Sequence, residues 1–244
     1  MSGRLAGRRI AITGAASGIG RATLERAVAD GASVAALDLS VDGLAATNDV
    51  LPIRCDVADA DQVSSAFERI AETFGRLDGL VTAAGIGSEG GDCVETPLSL
   101  WDRTLAVNLT GVFLASRAAV PLLRLADGAS VVHVASQLGL VGILGSPAYC
   151  ASKGGVIAFG RAMALDHAAE SIRVNVVCPG PVDTPMFAAS RGLENMDELL
   201  GTSIPLGRIG RPSELAAVIA FLLSDESSFL TGCVVAADGG WTAR

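Results

Sequence analysis

Seven short apolar runs, each followed by a longer stretch of different character, set the limits on how this chain folds. They read RIAIT (9–13), ASVAALD (32–38), LPIRCD (51–56), LDGLVTAAG (77–85), ASVVHVAS (129–136), IRVNVVCPG (172–180) and GCVVAAD (232–238). Their apolar character is continuous rather than alternating, the pattern of parallel strands covered on both faces. Intervening segments such as GIGRATLERAVADGA and DADQVSSAFERIAETFG carry apolar residues at helical spacing and stop at or near glycine, the usual C-cap. Strand, helix, strand throughout predicts an α/β fold: a doubly wound, seven-stranded parallel sheet flanked by helices on both faces. No low-complexity linker or repeat divides the 244 residues, so 1–244 is read as a single domain.

Half of the residues are hydrophobic, which excludes a disordered chain. Acidic residues outnumber basic ones 26 to 18, the net charge is −8, and the arginines are scattered, so no nucleic-acid partner is expected. The longest uncharged run, Gly128 to Ser152, has the length of a membrane span but is interrupted by His133, Gln137, Pro147, four glycines and several serines. No membrane association is expected from it. The apolar stretch near the N-terminus breaks at Gly14, too soon for a signal-peptide core. Five cysteines, at 55, 93, 150, 178 and 233, form no C-x-x-C pair and meet no histidine cluster, so neither a disulfide framework nor a metal site is indicated. Cytoplasmic residence is the expectation. Residues 105–125 and 151–169 are apolar or small around most of a helix circumference, more than one core-facing stripe needs, which predicts subunit contacts and a homo-oligomer.

TGAASGIG (13–20) follows the first strand and opens the first helix, the context of a dinucleotide-binding loop. Gly14 permits the tight turn, Gly18 and Gly20 remove side chains where backbone nears a pyrophosphate and the sheet, and the helix N-terminus supplies amide donors. Asp38 ends the second strand 18 residues after Gly20, the place for a carboxylate that grips the adenine ribose diol. A 2'-phosphate there would meet a like charge, at about 1 to 4 kcal/mol per pair. No arginine stands at Ala15 to Ser17 or directly after Asp38, which favours NAD over NADP.

Tyr149 is the only tyrosine and Lys153 the only lysine, against seventeen arginines, and they stand four residues apart. On a helix that spacing places both on one face. A phenol of pKa about 10 is a poor base at neutral pH, and a neighbouring ammonium favours the phenolate. The pair is therefore a candidate general acid/base.

These motifs resemble those of the short-chain dehydrogenase/reductase family over essentially the whole chain. TGAASGIG matches its T-G-x-x-x-G-x-G, YCASK its Y-x-x-x-K, and Ser136 precedes Tyr149 by the family's 13 positions. CDV (55–57) resembles the adenine-contacting segment, NLTG (108–111) carries the helix asparagine, and PGPVDTP (179–185) is similar to the nicotinamide-side loop. TAAG (82–85) departs from the family's N-A-A-G or N-N-A-G, whose asparagine mainly steadies the sheet, so Thr82 puts stability rather than chemistry in question.

The resemblance implies a Rossmann-type NAD-dependent oxidoreductase acting on a secondary alcohol or its ketone, without a metal, as a tetramer. Tyr149 would take the alcohol proton, Ser136 hold the substrate oxygen, Lys153 lower the phenol's pKa and bind the nicotinamide ribose, and Asn108 hold a water that relays the proton outward. Cofactor contacts would come from Gly14, Ser17, Gly18, Ile19 and Gly20, from Asp38, Asp56 and Val57, from Ala83 and Gly85, and from Val182 and Thr184, besides Tyr149 and Lys153. The substrate pocket is placed in SQLGLVGILGS (136–146), near Ile86 and at Met186 and Phe187, with Gln137 its one polar candidate, and a lid at about 185–206. His133 and His167 are read as structural, and Cys150 as a small helix residue. Two alternatives stand beside this reading: an NADPH-dependent carbonyl or 3-oxoacyl reductase, and a non-catalytic nucleotide-binding sensor.

Overall fold

Each of the seven apolar runs is a strand in the computed structural model, which describes residues 3–87, 90–190 and 203–243. The strands are β1 (Arg9–Thr13), β2 (Ser33–Asp38), β3 (Val50–Arg54), β4 (Gly79–Thr82), β5 (Ala129–Val134), β6 (Ile172–Pro179) and β7 (Val234–Ala237). They form one parallel sheet in the order β3-β2-β1-β4-β5-β6-β7. Several are shorter than their apolar runs. The chain leaves the sheet after Arg54 and after Thr82, and the peeled-off residues Cys55 to Val57 and Ala83 to Gly85 turn toward a cavity.

Among the described residues the helices are α1 (Gly18–Ala29), α2 (Ala60–Phe74), α3 (Leu98–Leu105), α4 (Gly111–Leu123), α5 (Pro147–His167), α6 (Pro185–Ser190) and α7 (Pro212–Leu223). Successive strand residues face opposite sides, so each strand feeds two cores. Ala11, Leu80 and Val131 pack with Phe67 and Ile70 of α2 and with Ala119 and Leu123 of α4. Ile10, Ile12, Val81 and Val132 pack on the other face with Leu24 of α1 and Ile219 and Leu222 of α7. The continuous, non-alternating apolar pattern follows from this two-sided burial.

The run from Gly128 to Ser152 is divided between β5, a turn and the start of α5. The helical stretch Leu98–Leu123 is long and apolar enough to cross a bilayer by length and composition, but half of its most apolar part is buried in this fold. It widens into a π turn at Ala106–Thr110 between α3 and α4. Such turns concentrate at functional sites, and this one carries Asn108.

Strand order reverses between β1 and β4: β2 and β3 lie to one side, β5 to β7 to the other. At such a switch point the loops leaving the carboxyl ends of the two strands diverge and open a crevice. The helix that borders it is α5, seated through glycines. A Cβ at Gly155 would lie 2.8 Å from Leu109 Cδ2, and one at Gly160 would lie 2.5 Å from Val176 Cγ2.

Candidate active site

A cavity of about 690 Å³ opens at this switch point, within the size range of small-molecule sites. At one end lies the loop from β1 to α1. Gly14 and Gly18 have φ of +69° and +53°, the left-handed region that glycine enters without strain. A Cβ at Gly20 would fall 2.0 Å from the Gly14 carbonyl oxygen, and one at Gly14 would fall 2.7 Å from the Ala84 nitrogen. Those glycines are thus required by close backbone packing. Gly14, Ser17, Gly18, Ile19 and Gly20 all line the cavity, and the N-terminus of α1 faces it. Ser17 precedes that helix in extended conformation, with its side chain not spent on capping.

Asp38, at the end of β2, points its carboxylate at the same loop. Its Oδ2 accepts from the Ala16 backbone N–H at 2.9 Å, and its Oδ1 accepts from the Ser40 N–H at 3.3 Å. Asp56 and Val57 after β3, and Ala83 and Gly85 after β4, line the adjoining wall. Val182 and Thr184, after β6, close the cavity from the opposite side, and a Cβ at Gly18 would lie 3.2 Å from Thr184 Cγ2. The residues present fit a dinucleotide: backbone amides and a bare helix start suit a pyrophosphate, and a carboxylate suits a ribose diol.

The other end holds the proposed chemistry. Ser136 follows β5 and begins a short turn, where its Oγ accepts from the Leu138 N–H at 3.1 Å. Tyr149 and Lys153 both belong to α5 and face the cavity from one side of it. The Tyr149 phenol is densely packed although the residue keeps some exposure through the cavity. Burial pushes its pKa up, and a hydrogen bond with Ser136 pulls the other way. Lys153 is buried, donates from Nζ to the Val134 carbonyl at 3.1 Å, and stands 5.7 Å from the Tyr149 ring centroid. Burial pushes its pKa down to about 8. In this arrangement the Lys153 ammonium is turned to the Val134 carbonyl.

Asn108 does not line the cavity. It is fully buried, with Oδ1 accepting from Ile86 N–H at 2.8 Å and Nδ2 donating to the Ile86 carbonyl at 2.9 Å and to Ser152 Oγ at 3.2 Å. Its side chain clamps the segment after β4 to the π turn and to α5.

Of the expected substrate-side residues, Ile86, Gln137, Met186 and Phe187 line the cavity, and so do Ile143 and Leu144. Within the expected lid, Pro185–Ser190 is helical, while residues 191–202 lie outside the described residues. Sequence reasoning missed Leu39, Arg103 and Trp241, which also line the cavity. Trp241 had a usable signal, since it follows the last strand at its carboxyl end, where such folds build their sites. Arg103 had none. Its guanidinium stands 3.8 Å from Asp56, an arrangement that only the packing of α3 creates.

His133 is buried and uncharged, its pKa pushed down to about 3 by burial, and it faces Phe159 rather than the cavity. All five cysteines are free. Among the described residues no group of His, Cys, Asp and Glu is placed to hold a metal ion.

A family model described as enoyl-(acyl carrier protein) reductase matches residues 14–242. The chain is 39% identical to 2-(S)-hydroxypropyl-CoM dehydrogenase 3 of Xanthobacter autotrophicus, covering 100% of both chains. It is 41% identical to a 3-oxoacyl-[acyl-carrier-protein] reductase of Thermotoga maritima, over 97% of this chain and 98% of that one. Among solved structures, a short-chain type dehydrogenase/reductase from Mycobacterium marinum superposes with a TM-score of 0.92 at 34% identity, covering 98% of this chain and 97% of the other.

Proposed function

The chain belongs to the short-chain dehydrogenase/reductase family, and we propose that within it this protein oxidises a secondary alcohol, or reduces the matching ketone, with NAD preferred to NADP. The observation that carries the reading is one cavity shared by the glycine loop, Asp38, Ser136, Tyr149 and Lys153.

NAD, when bound in the cradle, supplies the acceptor for the carbinol hydride. Ser136 holds the substrate oxygen and Tyr149 takes its proton, both side chains lining the same cavity. Lys153 keeps a positive charge beside the phenol, and its ammonium, now donating to the Val134 carbonyl, would help to hold the nicotinamide ribose. Asn108 is a positioning residue that holds the segment after β4 against α5, and its relay of the proton to water is part of the proposal.

Asp38 supports the preference for NAD, because a 2'-phosphate would face its carboxylate. Arg103 is the one guanidinium among the described lining residues, and it stands beside Asp56 rather than Asp38. An NADPH-dependent 3-oxoacyl reductase is the second reading, favoured by the Thermotoga relative. We place the enzyme in the cytoplasm as a homo-oligomer, most simply a tetramer.

The test is spectrophotometric: NADH and NADPH formation over a panel of secondary alcohols with each cofactor. Turnover with NAD at the higher kcat/KM supports the proposal. Nucleotide binding without turnover of any alcohol or ketone would replace it with the sensor reading.

A further inference from the structure

Gln137 is an anomaly at the heart of the cavity. It follows Ser136 directly, about 3.8 Å away at Cα, and lines the cavity while only 5% exposed. Its Oε1 is buried with no hydrogen-bond partner among the described residues. More than nine in ten buried polar groups are paired, and an unpaired one carries a desolvation penalty that folding does not recover. The other such atom among the described residues, His133 Nε2, lies away from the cavity, whereas Gln137 is one of the residues that line it.

A second polar group is left over nearby in the chain. Ser146 occupies the N-cap position of α5, where a serine side chain ordinarily accepts from the first turn, but here its hydroxyl makes no capping bond. It lines the same cavity, three residues ahead of Tyr149.

The rest of this end is apolar. Ile86, Leu138, Ile143, Leu144, Met186 and Phe187 line it. Four charged residues line the cavity among those described: Asp38, Asp56 and Arg103 at the adenine end, and Lys153 beside Tyr149. Apart from Lys153, whose ammonium donates to the Val134 carbonyl, the described walls at this end offer no countercharge for a carboxylate, phosphate or sulfonate on the substrate.

We propose that Gln137, assisted by Ser146, is a specificity-determining residue that binds a second oxygen next to the reacting carbinol, so that the substrates are neutral vicinal diols and the matching α-hydroxyketones. The proposal rests on the dehydrogenase reading. Either face of the amide serves it, because the carbonyl oxygen accepts from a second hydroxyl and the NH2 donates to a second carbonyl. A substrate lacking that oxygen leaves the buried amide unpaired, which is how a polar site rejects an analogue.

The experiment compares kcat/KM for cis- and trans-1,2-cyclohexanediol with that for cyclohexanol, using NAD. For the wild type, at least one diol isomer is expected to exceed the mono-alcohol by about tenfold or more. In Gln137→Leu that ratio is expected to fall toward one, chiefly through a higher KM for the diol, and Ser146→Ala is expected to lower it by about threefold. Should Gln137→Leu fail to fold, the wild-type ratio and Ser146→Ala still decide. A wild type that uses cyclohexanol as well as both diols, or a ratio unmoved by Gln137→Leu, overturns this proposal and leaves the dehydrogenase reading standing. No NADH formation from any alcohol overturns both.

Discussion

The Thr82 hydroxyl lies 2.9 Å from His133 Nδ1, a fully buried contact between paired residues of β4 and β5. Thr82 occupies the position where the sequence departs from the family's asparagine. The structure shows a neighbouring strand supplying it with a polar partner, so the departure does not leave the sheet without a cross-strand bond. Replacing Thr82 by valine keeps the shape but strands Nδ1 in a ring whose Nε2 already has no partner among the described residues. Thr82→Val is expected to cost about 1–3 kcal/mol, read by urea unfolding at pH 7.5, with NAD affinity unchanged. An unaltered midpoint would show that the contact carries no stability.

The same histidine sets an acid limit on the fold. Its pKa is about 3 folded against 6.5 in the free side chain, so the unfolded chain binds the proton that the folded one refuses. Its contribution is complete above pH 6.5 and is lost as pH falls toward 3. At pH 5 the loss amounts to about 2 kcal/mol at 1.36 kcal/mol per unit. Glu170 and Glu214, held down to about 2 chiefly by Arg124 and Arg208, add to the acid loss only below their ordinary 4.5. Urea unfolding at pH 7.5, 6 and 5 isolates the histidine's share, and a flat profile over that range contradicts its assignment.

Asp38→Asn is expected to raise the ratio of kcat/KM for NADP to that for NAD by about tenfold or more. Asparagine retains an acceptor for the Ala16 N–H, so the loop keeps its anchor while the like charge disappears. Asp38→Ala removes both. If the cofactor ratio stays the same in either variant, Asp38 does not face the adenine ribose.

Tyr149→Phe is expected to lower kcat by about a hundredfold or more while NAD binds within a few-fold, because the ring still packs and only the proton acceptor is lost. Burial pushes the phenol's pKa up, so alcohol oxidation in the wild type should accelerate as pH rises above neutrality and more phenolate forms. A pH-rate profile tests this direction. Retention of several per cent of kcat in the variant would sink the role given to Tyr149.

Leu165 at 82% and Leu125 at 64% are largely exposed, and Phe113, edge-on to Phe159, is 45% exposed. All three lie within the two segments that are apolar around most of their circumference. Isologous pairing would cover them, as closed homo-oligomers do. Light scattering at micromolar concentration should report a multiple of 24.7 kDa, with four chains the expected number. A monomer of full activity would exclude the assembly.

The sequence alone settled what depends on neighbours along the chain. Seven apolar runs marked seven strands because a buried parallel strand must be apolar on both faces, and Tyr149 and Lys153 shared a face because helical geometry puts i and i+4 together. The glycines of 14–20 were legible as a cradle for the same local reason, their spacing within one turn and one helix start. Tertiary structure decided everything that depends on distant segments meeting. Strand order, with its reversal between β1 and β4, brought residues 14, 17–20, 38, 136–137, 149, 153 and 241 to one cavity. It turned Lys153 to the Val134 carbonyl, committed Asn108 to Ile86 and Ser152, paired Thr82 with His133 and left Gln137 Oε1 without a partner among the described residues. No local pattern encodes these outcomes, because which polar atoms are satisfied and which are left over depends on the packing of elements far apart in the chain.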